Sequence, residues 1–146
     1  EHDERNATLS PDGKWMAFES DRSGKFEVFV TPFPDVSAGL WPVSTAGGQE
    51  PVWSPTGKEI FYLSDDNKLM AAPVSTSRGF VAEKPVTLFD TTPYFFGGQG
   101  RNYDVTSDGQ RFIMFPATET ESTNRGIVTL VTQWFDELSR TFDKSR

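Results

Sequence analysis

"LSPDGKWMAFES", residues 9–20, sets a proline, an acid and a glycine between two hydrophobic runs. Pro11 fixes φ for a turn position, Asp12 offers acceptors to the backbone N–H groups just after it, and Gly13 permits φ > 0. The chain is expected to reverse there. Beyond the turn, Trp15, Met16, Ala17 and Phe18 make a run that is apolar on both faces, the pattern of a strand held between two layers.

The same grammar returns twice. "WSPTGKEIFYLSDD" occupies residues 53–66 and "VTSDGQRFIMFPAT" residues 105–118. Gly13 and Gly57 are 44 positions apart, and Gly57 and Gly109 are 52 apart. A period in the low forties suits four short strands per unit, the blade of a β-propeller. The longer second interval places an extended loop around "TTPYFFGGQG". Within each unit the second strand leads to a polar turn ("SDRSGK", "SDDNK"), a third strand ("FEVFVTPF", "KLMAAPV") and a fourth ("LWPVST", "PVTLFD"). Gly47-Gly48 and Gly97-Gly98 each precede the next innermost strand. The expected units are residues 4–44, 50–90 and 101–131 of one partial propeller domain, residues 1–146. The last is incomplete, and "GIVTLVTQWFDELSRTF" turns from strand to helix. Trp134, Leu138 and Phe142 are four apart, Thr132 can cap, and the acids precede the bases, so a short amphipathic helix is expected over residues 133–142.

Composition agrees with an all-β chain. Aromatic residues are 14 % of the total, and flat rings pack well on a pleated, half-buried surface. Twelve Gly and ten Pro are dispersed as punctuation between short elements. A net charge of -7 repels phosphate backbones and anionic lipid, which argues against nucleic-acid binding. No apolar run approaches the roughly 20 residues a bilayer crossing needs, so no membrane insertion is expected. There is no cysteine, which excludes disulfides and thiolate metal sites.

These residues resemble the TolB-like, or WD40-like, bacterial propeller repeat, whose consensus is a Ser-Pro-Asp-Gly-Lys turn followed by a strand of the form apolar-Ala-Phe-x-Ser. "SPDGKWMAFES" follows it almost letter for letter, "SPTGKEIFYLS" has Thr56 in place of the acid, and "TSDGQRFIMF" has lost the proline. The ending "VTLVTQWFDELSR" looks like the tail of bacterial proteins in which such a propeller follows a serine/threonine kinase, a winged-helix regulator or another effector. The resemblance implies a protein- or peptide-binding scaffold and favours an extracytoplasmic or periplasmic location.

The sequence contains little that points to catalysis. The lone histidine, His2, lies next to the first residue, and no thiol is available. Asp65-Asp66 reads as a solvated turn, "GGQG" at 97–100 lacks the lysine of a phosphate loop, and "DRSGKFE" lacks the acids of a calcium loop. No catalytic residue, metal or cofactor is therefore assigned. One constellation stands apart from turn chemistry. Eight residues before the turn glycines stand Arg5, Gln49 and Arg101, followed by Asn6, Glu50 and Asn102. In a propeller these start the innermost strands and ring one mouth of the channel. They are candidates for a rim that hydrogen-bonds a peptide or protein loop; the competing reading is that strand starts at an opening are wet in any case. Tyr94, Phe95 and Phe96 are a second candidate contact patch, with packing over a blade edge as the alternative.

Three blades do not close a ring, since propellers typically take about four to eight. The arc is expected to be half of a closed propeller, completed by further blades of a longer chain or by self-association of two copies. The functional expectation is a non-enzymatic binding scaffold, the sensory or docking module of a larger bacterial signalling protein. The alternative is the accessory gating propeller of a serine peptidase of the prolyl-oligopeptidase or tricorn type.

Overall fold

A computed structural model describes residues 1–94, 96–97 and 100–117, together with the backbone of residues 129–131. The helix expected over 133–142 and Phe95 of the aromatic loop lie outside the described residues.

All of the described regular structure is β, and it forms three antiparallel sheets. The first contains β1 (Glu4–Leu9), β2 (Trp15–Ser20), β3 (Glu27–Pro32) and β4 (Trp41–Pro42), paired in chain order. The second contains β5 (Gln49–Trp53), β6 (Glu59–Leu63), β7 (Lys68–Ser75), β8 (Val81–Ala82) and β9 (Val86–Asp90). The third contains β10 (Tyr103–Val105), β11 (Phe112–Met114) and β12 (Thr129–Val131). The second sheet departs from four simple strands. β7 is eight residues long, its first half pairs with β9, and its end pairs with the short β8. Sequence reading passed over that hairpin, which carries the buried Phe80 into the core.

The three glycine turns share one hydrogen-bond scheme. Gly13, Gly57 and Gly109 donate to the carbonyls of Ser10, Ser54 and Thr106 at 2.7–2.8 Å, with φ of 68°, 68° and 71°. The hydroxyl at the first position bonds the side chain two residues on: Ser10 to Asp12 at 2.5 Å, Ser54 with Thr56 at 2.9 Å, and Thr106 to Asp108. Thr56 thus replaces the acid without loss of the turn, because either side chain supplies the oxygen that the hydroxyl needs. A fourth copy of the scheme joins β6 to β7. There Ser64 bonds Asp66 at 2.6 Å and Asn67 takes the glycine position at φ 58°.

Alternation along the strands assigns each face of the central sheet to one neighbour. Trp53, Ile60, Tyr62, Ala72 and Val74 meet Ala17, Val28, Val30 and Val43 of the first sheet. Val52, Phe61, Leu63, Leu69 and Ala71 meet Tyr103, Phe112 and Met114 of the third. Rings bind both interfaces: Phe80, brought in by the β7–β8 hairpin, stands 5.5 Å from Trp15 and 6.0 Å from Trp41 of the first sheet, and Phe61 stands edge-on to Phe112 of the third at 4.9 Å. Each such pair contributes about 0.5–1.5 kcal/mol beyond its burial.

The connection from the first sheet to the second depends on close approach at Gly48. A Cβ there would lie 2.3 Å from Ser44 Oγ and 2.8 Å from Ser44 Cβ. Ser44 has no room to yield, since it is buried and accepts the Val28 N–H at 2.8 Å while its hydroxyl donates to Glu27. Gly48→Ala is therefore expected to destabilise by about 2–3 kcal/mol, as overpacking does. Gly13→Ala, strained only by φ in open space, is expected to cost about 1 kcal/mol. Urea unfolding of both variants checks the ranking, and equal losses would contradict the packing at Ser44.

Candidate functional site

The rim positions begin the inner strands, and there the backbone departs from a regular ladder. Asn6 and Glu50 lie in the left-handed region at φ 51° and 52°. At the same places the β1–β2 register slips between Arg5 and Thr8, and the β5–β6 register between Gln49 and Val52. These are bulges, which turn a strand and re-aim its polar groups.

The re-aimed groups join sheet to sheet. The Glu50 N–H donates to Glu19 Oε2 at 2.6 Å, tying the second sheet to the first. Glu50 in turn accepts from Asn102: the backbone N–H reaches Oε2 at 2.7 Å and Nδ2 reaches Oε1 at 2.7 Å. The Tyr103 hydroxyl donates to the Glu50 carbonyl at 2.9 Å. Burial pushes the Glu50 carboxyl above its ordinary value, against the two Asn102 bonds that favour its charged form. Burial, with the Glu50 charge adding, pushes the Tyr103 hydroxyl well up, so it remains a neutral donor.

The six candidates thus divide. Glu50 and Asn102 are latched together between sheets, whereas the arginines are exposed and held locally. Arg5 pairs with Asp3 at 2.7 Å and lies over the Phe26 ring at 4.0 Å, and Arg101 pairs with Asp104 at 3.5 Å. Gln49 and Glu50 line an open cleft of about 400 Å3 with Ser64, Asp65, Asn67 and Phe96. An adjoining cleft of about 490 Å3 shares Ser64 and Asp65 and adds Gly47, Tyr62, Lys68 and Thr87. Asp65 stands between them, 3.5 Å from Lys25 of the first sheet. Burial pushes the Tyr62 hydroxyl up to about 12, with Glu27 contributing, so this wall is a neutral donor at physiological pH.

Tyr94 and Phe96 are half-buried against the second core cluster, with Tyr94 6.4 Å from the Phe89 ring. Sequence reasoning missed the buried carboxylates. Glu19 and Glu27 are 2 % and 4 % exposed. Glu27 accepts the Gly47 N–H at 2.9 Å and lies 3.8 Å from Lys25. A charged residue inside an otherwise apolar strand, as in "MAFES" and "FEVFV", was the available signal. Among the described residues, no group of three or more His, Cys, Asp or Glu side chains is placed to hold a metal ion.

No protein-family model matches the sequence, and no curated protein matches it. Solved structures match its fold. An oligogalacturonate lyase in complex with manganese is similar over 78 % of this chain and 30 % of its own, at 15 % identity and a TM-score of 0.59. The oligogalacturonate lyase of Vibrio parahaemolyticus covers 76 % of this chain and 29 % of its own, at 15 % identity and a TM-score of 0.57. TolB of Acinetobacter baumannii covers 88 % and 32 %, at 20 % identity and a TM-score of 0.54. The chain thus spans about three tenths of the length of these neighbours. Both kinds of neighbour are propeller-type folds, and the three sheets share that architecture.

The Glu50–Asn102 latch has a pH signature. Asn102→Ala removes one bond to the charged carboxylate, which raises the folded-state pKa of Glu50 further above its unfolded value. A raised carboxyl gives stability below the unfolded pKa that is lost as pH rises through the folded one. The variant is expected to lose about 1–2 kcal/mol at pH 7. The deficit is expected to shrink as pH falls through the raised value toward the ordinary 4.5. Urea unfolding at several pH values checks this, and a deficit independent of pH would contradict it.

Proposed function

We propose that this chain is a non-enzymatic propeller scaffold that binds an extended peptide or protein loop in the paired clefts at the start of its second sheet. What carries the reading is the position of Asp65. It is shared by both clefts, its side chain is 47 % exposed, and its one ion-pair partner among the described residues is Lys25 at 3.5 Å. Gln49 adds an amide donor and acceptor beside it, and Glu50 cannot swing away because Asn102 holds both its oxygens. Polar groups fixed this way suit a peptide main chain, with a cationic side chain over Asp65.

The site proposed from the rim pattern therefore narrows. Gln49 and Glu50 line it, while Arg5 and Arg101 are engaged by their own aspartates. The resemblance of the tail to propellers that follow bacterial effector domains supports a sensory or docking role in a larger signalling protein.

Selection of a peptide-display library on the folded chain supplies a probe, and calorimetric titration of a selected peptide measures it. Gln49→Ala with Asp65→Ala is expected to weaken binding at least about tenfold, the worth of roughly 1.4 kcal/mol. Arg5→Ala with Arg101→Ala is expected to change it little. Loss confined to the arginine variant would move the site to the arginines, and failure to select any peptide would remove the reading.

A further inference from the structure

Asp65, in the turn between β6 and β7, stands between two clefts that open on opposite faces of the second sheet. Leu63 and Phe96 of the Glu50 cleft belong to the apolar cluster shared with the third sheet. Tyr62 and Met70 of the other cleft belong to the cluster shared with the first. Gly47 fixes where the carboxylate lies. A Cβ on Gly47 would come within 2.1–2.4 Å of the Asp65 carboxyl atoms, so any other residue would push that group off the chain on which it rests.

The two clefts differ in how their charges are matched. In the Tyr62 cleft, Asp66 holds Lys68 at 2.5 Å, and Asp65 faces Lys25 of the first sheet at 3.5 Å. Each acid there already has a cation of this chain. What remains of the wall is the Tyr62 ring, Met70 and Thr87, whose hydroxyl lies 3.5 Å from Met70 Sδ. In the Glu50 cleft the charged lining groups among the described residues are Glu50 and Asp65, both acids. Arg101, whose charge also acts on Glu50, is paired with Asp104 at 3.5 Å. Asn102 bonds each Glu50 oxygen once, which leaves each a second acceptor site. The half-buried Phe96 completes this wall. A planar guanidinium suits such a cleft, because it spreads its donors over several acceptors and stacks its face on a ring.

We propose that the paired clefts read a basic and apolar pattern: an arginine of an extended peptide enters the Glu50 cleft, between Glu50 and Asp65 and along Phe96, and an apolar side chain two positions away enters the Tyr62 cleft. This rests on the clefts being a peptide site. Alternation in an extended chain puts side chains two positions apart on one face, about 7 Å from each other. A strand laid across Asp65 thus sends one into each cleft. The net charge of -7 favours the approach of a basic segment.

Peptides selected from a random display library on the folded chain are expected to share an arginine with a large apolar residue two positions away. In calorimetric titration of one selected peptide, replacing its arginine by glutamine is expected to weaken binding at least about tenfold, and by lysine at least about threefold. Asp65→Asn, at an exposed position, is expected to weaken the arginine peptide by a similar factor. It is expected to leave the glutamine peptide within about twofold, because both changes remove one contact. Thr87→Phe, which fills the Tyr62 cleft from an exposed position, is expected to weaken the selected peptide and to spare its derivative with alanine at the apolar position. The peptide substitutions test the pattern without any change to the fold. Selected peptides without a shared basic residue, or independent losses from Asp65→Asn and the glutamine peptide, would overturn the arginine assignment while leaving a peptide site. Lysine bound as tightly as arginine would overturn the guanidinium fit, and indifference to the apolar residue would overturn the role of the Tyr62 cleft. Failure to select any peptide would remove the peptide site and this pattern with it.

Discussion

A left-handed residue at the head of an inner strand holds this fold in register. Glu50, at φ 52°, turns its N–H out toward Glu19 of the preceding sheet, and its carboxylate reaches forward to Asn102 of the following one. A non-glycine residue in that region costs about 1–2 kcal/mol, and it persists only where surrounding bonds over-determine it. Here a backbone amide, a side-chain amide and a tyrosine hydroxyl converge on one residue. The same residue lies in the wall of one of the two clefts, so the constraint that aligns the sheets also positions the site.

The stacking depends on that alignment. Apolar packing between sheets is non-directional and would tolerate sliding, whereas hydrogen bonds to buried carboxylates do not. Glu19 and Glu27 are each satisfied by backbone N–H groups of the next sheet or of its connection: Glu50 for the first, Gly47 for the second. Breaking the first would take from the buried Glu19 carboxylate the N–H that satisfies it, which is far more costly than a lost surface bond. At the opposite end of the strands, the turn prolines and glycines repeat their contact from sheet to sheet. Polar latches at one end and turn contacts at the other define a single spacing between sheets.

Much of this was legible in the sequence and some was hidden, for identifiable reasons. The glycine turns and the apolar strands after them were readable because turn chemistry and two-sided burial act on neighbouring residues. Counting back from the glycines found the inner strand starts, since the length from latch to turn is the same in each unit. What the count could not separate was role. Arg5 and Arg101 look alike in sequence to a ligand-facing pair, yet each is taken by an aspartate of its own segment. The buried glutamates, the β8 hairpin with Phe80 and the Asn67 copy of the turn depend on contacts between distant residues or on a substitution at the glycine, so local pattern did not disclose them.

The central claim is that backbone N–H groups at the inner strand starts are bonded to carboxylates of the preceding sheet. Amide hydrogen exchange on the folded chain, read at individual residues by NMR, tests it most directly. The N–H groups of Glu50 and Asn102 are predicted to exchange as slowly as ladder amides such as those of Ile60 and Tyr62. Exchange of both at the rate of an unprotected chain, with the ladder amides still protected, would contradict it.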